Sequence, residues 1–370
     1  MRSATWRRRS PPRPERGNRA RGVTVAQLLA NGSAALRPGA PLVIGLVNSM
    51  PGDARRHTER QFRAILSAAV RDVAVELRFF AFDAAPSGQA DPAAGPRYED
   101  MAALEAAAPD GLIVSGMPPQ AARLSDEPYW PRLTALVDFA TEAAIPTVWS
   151  CLAAHGAVLY LDGIERQRLA RKLSGLVDCV RTEAEHPVMR GLPRRWRVPH
   201  SRYNDLPEEA LRARGYRILS RSAEAGADIF AKDGRAPFLF CQGHPEYDAH
   251  SLLREYRRDI RQFLAGERDD YPAAPQGCFS PAMTARVDGF RERALRARSV
   301  DCLADFPMAA CLADLRHAWR DLAVSLYANW LADVAARKLL PAEPGEAANP
   351  SASPSGHPAE ERIASLSGVR

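Results

Sequence analysis

Residues Ile145–Gly163 read IPTVWSCLAAHGAVLYLDG. The first six are apolar or β-branched, the pattern of a strand buried on both faces, and the rest are small and apolar at helical spacing. No loop separates them. The chain passes from strand to helix at Cys151, and Ala153, Ala154 and Gly156 let the helix start close against the strand. Such a junction belongs to an α/β fold in which sites lie at the carboxyl ends of parallel strands.

The flanking sequence repeats the alternation. PLVIGLVNSMP (Pro41–Pro51) predicts a central strand broken at Asn48 and Pro51, and His57–Val70 predicts a helix through Phe62, Ile65, Leu66 and Ala69. Val73–Phe82 predicts a second strand, Ala84–Pro96 a Pro/Gly/Ala-rich loop, and Asp110–Gly116 a third strand. A further helix leads into the stretch quoted above. Residues 170–240 read as shorter strands and turns, with GYRILSRS, ADIFAKD and APFLFCQG forming an antiparallel or mixed extension. Leu252–Leu264 and Leu312–Lys338 read as helices. The expected fold class is α/β, a mostly parallel sheet with helices on both faces.

Composition bounds the function. With 370 residues, 46% hydrophobic and 25% charged, the chain can bury a sizeable core. No apolar run reaches the roughly 18–20 residues of a membrane span, and no secretory pattern opens the chain, so a cytoplasmic location and no membrane partner are expected. The net charge of +6 resides in the first 21 residues, where eight arginines face Glu15; the remainder is near neutral and offers nothing to a nucleic acid. The expected organisation is a disordered Arg/Pro-rich extension at 1–37, a single domain at 38–340 and a disordered tail at 341–370. The six cysteines form no C-x-x-C pair and no zinc-like group with histidine, so no metal is expected.

Cys151 stands where a helix N-terminus favours thiolate, and the Leu152 N–H is placed to stabilise an oxyanion. FLFCQGHPEYD (Phe238–Asp248) supplies the other half of a nucleophilic constellation. There a strand ends at His244, a candidate base. Glu246, two residues on and on the same side of an extended chain, is a candidate to orient it. Alone, a strand-end cysteine or an H-x-E is commonly structural; together at two strand ends they favour a triad. His155 in the elbow helix reads as a packed histidine, with a second active-site imidazole as the sharper alternative.

From Leu42 to Ala335 the chain resembles the homoserine O-acyltransferases of the homoserine O-succinyltransferase type. The resemblance is carried in order by NSMP, TERQ, DGLIVSGMP, DEPYWP, the SC before the elbow helix, RKLSG, PHSRYND, GHPEYDA, EYRRD and YANWL. It implies a class I glutamine amidotransferase-like, flavodoxin-like architecture and an acyl-CoA co-substrate with no other cofactor. It further implies that Cys151 takes the acyl group as a thioester, His244 serves as base and acid, and Glu246 completes the triad. Lys172, Ser201 and Arg258 would bind substrate, L-homoserine being the acceptor. Gln120 in GMPPQ falls where the family resemblance puts the acyl selector, glycine going with succinyl and glutamate with acetyl. Its neutrality favours succinyl-CoA and its volume favours acetyl-CoA; the reading adopted is succinyl. A homodimer is left open.

Two features depart from the family. Gly52–His57 lacks the lysines common there, with Arg55 or Arg56 as candidate replacements, and 261–315 is longer than usual and carries no functional reading. Two other classes compete. Glutamine amide hydrolysis would use the same three side chains, but the elbow reads WSCLAAHG in place of G-x-C-x-G. A non-catalytic relative would have no need of all three.

Overall fold

The computed structural model describes residues 41–70, 74–84 and 98–339. The expected extension at 1–37, the tail at 341–370 and nearly all of the Ala84–Pro96 loop lie outside them. The described chain is built on a nine-stranded sheet in the order β2-β1-β3-β4-β9-β8-β7-β5-β6. Five strands run parallel: β2 (Val75–Phe80), β1 (Leu42–Val47), β3 (Gly111–Val114), β4 (Thr147–Ser150) and β9 (Phe238–Cys241). Counting parallel strands alone, their order is the flavodoxin-like 2-1-3-4-5, as expected.

These strands are apolar because both faces are covered. On one face α1 (Gly52–Ala69) and α9 (Arg320–Leu339) bring Phe62, Ile65, Leu326 and Trp330 onto Ile44, Ile113 and Val148. On the other, α2 (Met101–Ala107), α3 (Trp130–Glu142) and α4 (Leu152–Asp162) bring Leu104, Leu133 and Val158 onto Leu112, Val114 and Trp149. None of the described helices is long and apolar enough to cross a membrane.

The antiparallel extension is present but larger than expected. Residues 170–240 hold not only β7 (Arg217–Ser222) and β8 (Gly226–Lys232) but most of two long strands, β5 (Gln167–Arg181) and β6 (Arg195–Asp205). Of these last two, β6 is the edge strand and β5 its neighbour, and charged residues interrupt both, so no apolar run advertised them; their pairing is decided across a turn of more than ten residues.

Helix α1 begins at Gly52, so the expected loop Gly52–His57 is its opening turns. Buried Asn48 fixes this, donating from Nδ2 to the Arg55 carbonyl at 2.9 Å. The helix expected over Leu312–Lys338 is two: α8 (Met308–Asp314) and α9. Between them the chain turns so that Trp319 Nε1 donates to the Tyr247 carbonyl at 2.8 Å. Residues 261–315 form a satellite core of their own, where Val287, Phe290, Phe306 and Cys311 pack on Leu253, Tyr256 and Ile260 of α6 (Ser251–Leu264). They thereby hold α6 from behind, and Gln276 is bonded into the sheet edge through Ser174 and Leu176 at 2.9 and 2.8 Å.

Candidate active site

Cys151 sits between β4 and α4 at φ 51° and ψ −114°, a left-handed conformation that costs a non-glycine residue about 1–3 kcal/mol. The strain is held by packing. Cys151 N donates to the Cys241 carbonyl at 2.7 Å, tying the elbow to the end of β9. A Cβ on Gly156 would lie 2.4 Å from Leu133 Cδ2, so glycine lets α4 close on α3. At the end of β3, a Cβ on Gly116 would lie 3.3 Å from Cys151 Cβ and 3.5 Å from Leu152 N. The backbone there leaves just enough room for the thiol and the first helical N–H.

His244 and Glu246 meet, though not as expected. The chain after Cys241 is a turn, closed by Tyr247 N donating to the His244 carbonyl at 3.1 Å, rather than an extended segment with both side chains on one side. The turn brings His244 Nδ1 to 2.8 Å from Glu246 Oε1, with both side chains buried. Ser150 Oγ also donates to that oxygen at 3.2 Å, and His244 N donates to the Pro199 carbonyl at 2.7 Å. The Tyr247 ring stacks on the imidazole with centroids 4.1 Å apart. With Nδ1 engaged, Nε2 is left for the Cys151 sulfur, the side chain's other polar neighbour. Burial opposes protonation of His244, but the charges of Cys151 and Glu246 outweigh it and raise its pKa well above the ordinary value. The imidazolium form of His244 is therefore favoured beside the Cys151 sulfur and the Glu246 carboxylate.

A cavity of about 750 Å³ opens over this group. Cys151, Leu152, His155, His244 and Glu246 line it, and so do Gln120, Lys172, Ser201 and Arg258. Arg55 and Arg56 do not: as part of α1, Arg55 pairs with Asp83 at 2.7 Å and Arg56 with Asp53 on the surface. Neither replaces a lysine at the cavity. Gln120 has its side chain at an exposed part of the wall, while its N–H is held at 3.0 Å by the buried carboxylate of Glu127.

The cavity's far wall is a charged set carried by β5, β6 and α6. Lys172 Nζ lies 2.8 Å from Asp259 Oδ2, and Arg258 Nη2 lies 2.7 Å from Asp259 Oδ1. Burial alone would raise the Asp259 pKa, but Lys172 and Arg258 hold it below the ordinary value. Ser201 Oγ donates to Glu255 Oε2, and Tyr247 OH donates to Glu255 Oε1 at 2.5 Å. Glu255, Asp259 and Tyr247 were missed in the sequence. The first two were findable, because Glu255, Arg258 and Asp259 fall at i, i+3 and i+4 of one helix.

His155 is a packed histidine on the cavity floor. Gln242 Nε2 donates to Asp205 Oδ1 and the Ala227 carbonyl at 3.0 and 2.7 Å, so its Oε1 must accept the bond from His155 Nε2 at 2.9 Å. Burial and the nearby Arg202 push its pKa down to about 3, so the imidazole is neutral. Behind His244, Cys179, His200 and Asp228 offer donor atoms within 4.8 Å of one another, a grouping that the sequence reading did not anticipate. Asp228 Oδ1 lies 3.2 Å from His200 Nε2, close enough to pair although outside hydrogen-bond geometry, and its Oδ2 accepts from Ser220 at 2.8 Å.

The family model for homoserine O-succinyltransferase matches residues 23–338. The chain belongs to the homoserine O-succinyltransferase family. It is 48% identical over 302 residues to a homoserine O-succinyltransferase of Methylorubrum extorquens, covering 81% of this chain and 89% of the relative. A second homoserine O-succinyltransferase, from Rhodopseudomonas palustris, is 46% identical over 296 residues, covering 79% of this chain and 88% of that one. Among solved structures, the chain is similar to a glutamine amidotransferase from Methylobacillus flagellatus, with a TM-score of 0.45 and 18% identity over 82% of this chain and 96% of that one. Within the homoserine O-succinyltransferase family match, the satellite core at 261–315 is the part whose sequence carried no functional reading, and it acts as the buttress of α6.

Proposed function

We propose that this protein transfers the succinyl group of succinyl-CoA to the γ-hydroxyl of L-homoserine through a thioester on Cys151. The observation that carries the reading is a thiol, an imidazole and a carboxylate brought together on a cavity that is also lined by a charged set including Lys172, Glu255 and Arg258. The Cys151 thiolate attacks the thioester carbonyl, and the oxyanion that forms is met by the Leu152 N–H at the start of α4. CoA departs with the proton of the His244 imidazolium, leaving the acyl group on sulfur. The neutral imidazole then takes the γ-hydroxyl proton of homoserine as that oxygen attacks, and the Cys151 thiolate leaves to give the O-succinyl ester. Glu246 holds the imidazole in register throughout.

Arg258 binds the substrate carboxylate, and Glu255, bridged by Ser201, Tyr247 and Lys172, faces its ammonium group. The homoserine O-succinyltransferase activity by which the relatives are named and a neutral Gln120 support succinyl over acetyl as donor. The chemistry calls for no further cofactor, and the product serves methionine biosynthesis in the cytoplasm. The test is CoA release from succinyl-CoA or acetyl-CoA, with and without homoserine, beside a Cys151→Ala control. Homoserine-dependent release from succinyl-CoA that disappears in the control is expected. Release from acetyl-CoA alone would overturn the donor, and no release from either would overturn the reading.

A further inference from the structure

The arginines and lysine that line the cavity differ in how they are neutralised. Lys172 and Arg258 are held by Asp259 at 2.8 and 2.7 Å, and Arg202 by Asp205 at 2.9 Å together with two backbone carbonyls. Arg123, Arg166 and Arg168 also line the cavity and form no ion pair among the described residues, and of these three only Arg166 has a buried guanidinium nitrogen without an acceptor. Its Nη2 donates to the Ala122 carbonyl at 3.3 Å, while Nη1 is buried and meets no acceptor among the described residues. No carboxylate among the described residues forms an ion pair with it. A buried guanidinium N–H left without an acceptor is costly, and a carboxylate is the ligand whose geometry matches the guanidinium fork.

The position of Arg166 narrows which carboxylate. It follows the end of α4 and reaches across to Ala122, two residues beyond Gln120, so it braces the loop that forms the cavity wall on the Gln120 side. His155, one turn along α4 from Cys151, feels its charge. The charged and polar set of Ser201, Glu255 and Arg258 lies on β6 and α6 instead. The CoA phosphates are carried at the far end of a long flexible arm, whereas this nitrogen is buried in the wall of the cavity that Cys151 also lines. We propose that Arg166 binds the terminal carboxylate of the acyl group and so selects a succinyl over a neutral acyl donor. This rests on the acyl-transfer reading and adds the residue that reads the donor.

The test uses the full chain with Arg166→Gln and Arg166→Lys. Three quantities are measured: kcat/KM for succinyl-CoA, kcat/KM for butyryl-CoA, which ends in a methyl where succinyl has its carboxylate, and the Ki of free CoA against succinyl-CoA. Loss of a buried charged pair predicts a fall of about 100-fold for succinyl-CoA in Arg166→Gln and about 10-fold in Arg166→Lys. Butyryl-CoA turnover and the CoA Ki should stay within about twofold of wild type, since neither ligand offers the carboxylate. A CoA Ki that rises as steeply as the succinyl-CoA loss would reassign Arg166 to the phosphates and overturn the proposal, as would an undiminished succinyl-CoA rate. If Arg166→Gln does not fold, the split between succinyl-CoA and CoA in Arg166→Lys decides. A wild type inert toward succinyl-CoA would instead overturn the acyl-transfer reading, and this inference with it.

Discussion

Replacing Glu246 by Gln removes one charge from the triad and little else. Glu246 Oε1 lies 2.8 Å from His244 Nδ1 and also accepts from Ser150 Oγ at 3.2 Å, and a glutamine oxygen can keep both contacts. Its amide nitrogen would take the place of Oε2, which already has no partner among the described residues. What is lost is the attraction between carboxylate and imidazolium. For charge centres about 4 Å apart at an effective dielectric of about 20, that attraction is about 4 kcal/mol. Because the glutamine dipole recovers part of it, the expected loss is roughly 2–4 kcal/mol, or about 30- to 1000-fold in rate. The loss should fall on acylation, where the imidazolium must persist beside the thiolate. A quenched-flow measurement of the first CoA equivalent released from succinyl-CoA isolates that step, and a melting temperature close to wild type shows that the fold survives. Acylation within tenfold of wild type in a folded Glu246→Gln protein would refute the electrostatic role of Glu246.

Four further outcomes are expected. The Cys151 charge helps raise the His244 pKa, so in Cys151→Ala the His244 ring resonances should titrate at lower pH than in wild type, by NMR, and an unchanged titration would remove the ion-pair account. Because Cys151 sits at φ 51°, Cys151→Gly should melt above Cys151→Ala by the equivalent of about 1 kcal/mol, both being inactive, and the reverse order would show that the elbow is not strained. Gly116→Ala places a methyl 3.3 Å from Cys151 Cβ and 3.5 Å from Leu152 N, and should lower kcat about 10-fold at nearly unchanged stability, measured by turnover and thermal melting. His155 has its pKa depressed from 6.5 to about 3, so between those values the unfolded chain binds the proton and the folded one does not. Its contribution to stability is therefore present above pH 6.5 and lost as pH falls toward 3, with a slope of up to about 1.4 kcal/mol per pH unit; His155→Gln should flatten that part of the denaturation profile, and an unaltered slope would count against a neutral buried imidazole.

The parallel half of the sheet was legible because burial on both faces demands unbroken apolar strands, and IPTVWS, LVIGLV and FLFC are such runs. Cys151 was legible for a related reason: a strand that passes directly into a small-residue helix leaves only one position at the bend. HPE pointed to a contact between His244 and Glu246, which the structure places 2.8 Å apart, yet an extended chain was assumed where a turn brings them together; local sequence does not say which way the backbone leaves a strand. Strands β5 and β6, interrupted by charged residues, were not legible as long strands. Their alternation is weak and their order comes from pairing with each other.

What the sequence alone determined, then, is the set of strand ends and the chemical types placed at them. Only the tertiary structure decided that Lys172, Ser201 and Arg258, from three different elements, share one cavity with Cys151, and that Arg55 and Arg56 do not. It also decided that Trp319 breaks a continuous helical pattern to reach the carbonyl beside His244. The reason is physical: apolar periodicity is a property of one segment and survives in one dimension. Ion pairing, orphaned donors such as Arg166 Nη1 and the room beside Gly116 are properties of segments brought together, and they exist only once the chain has folded.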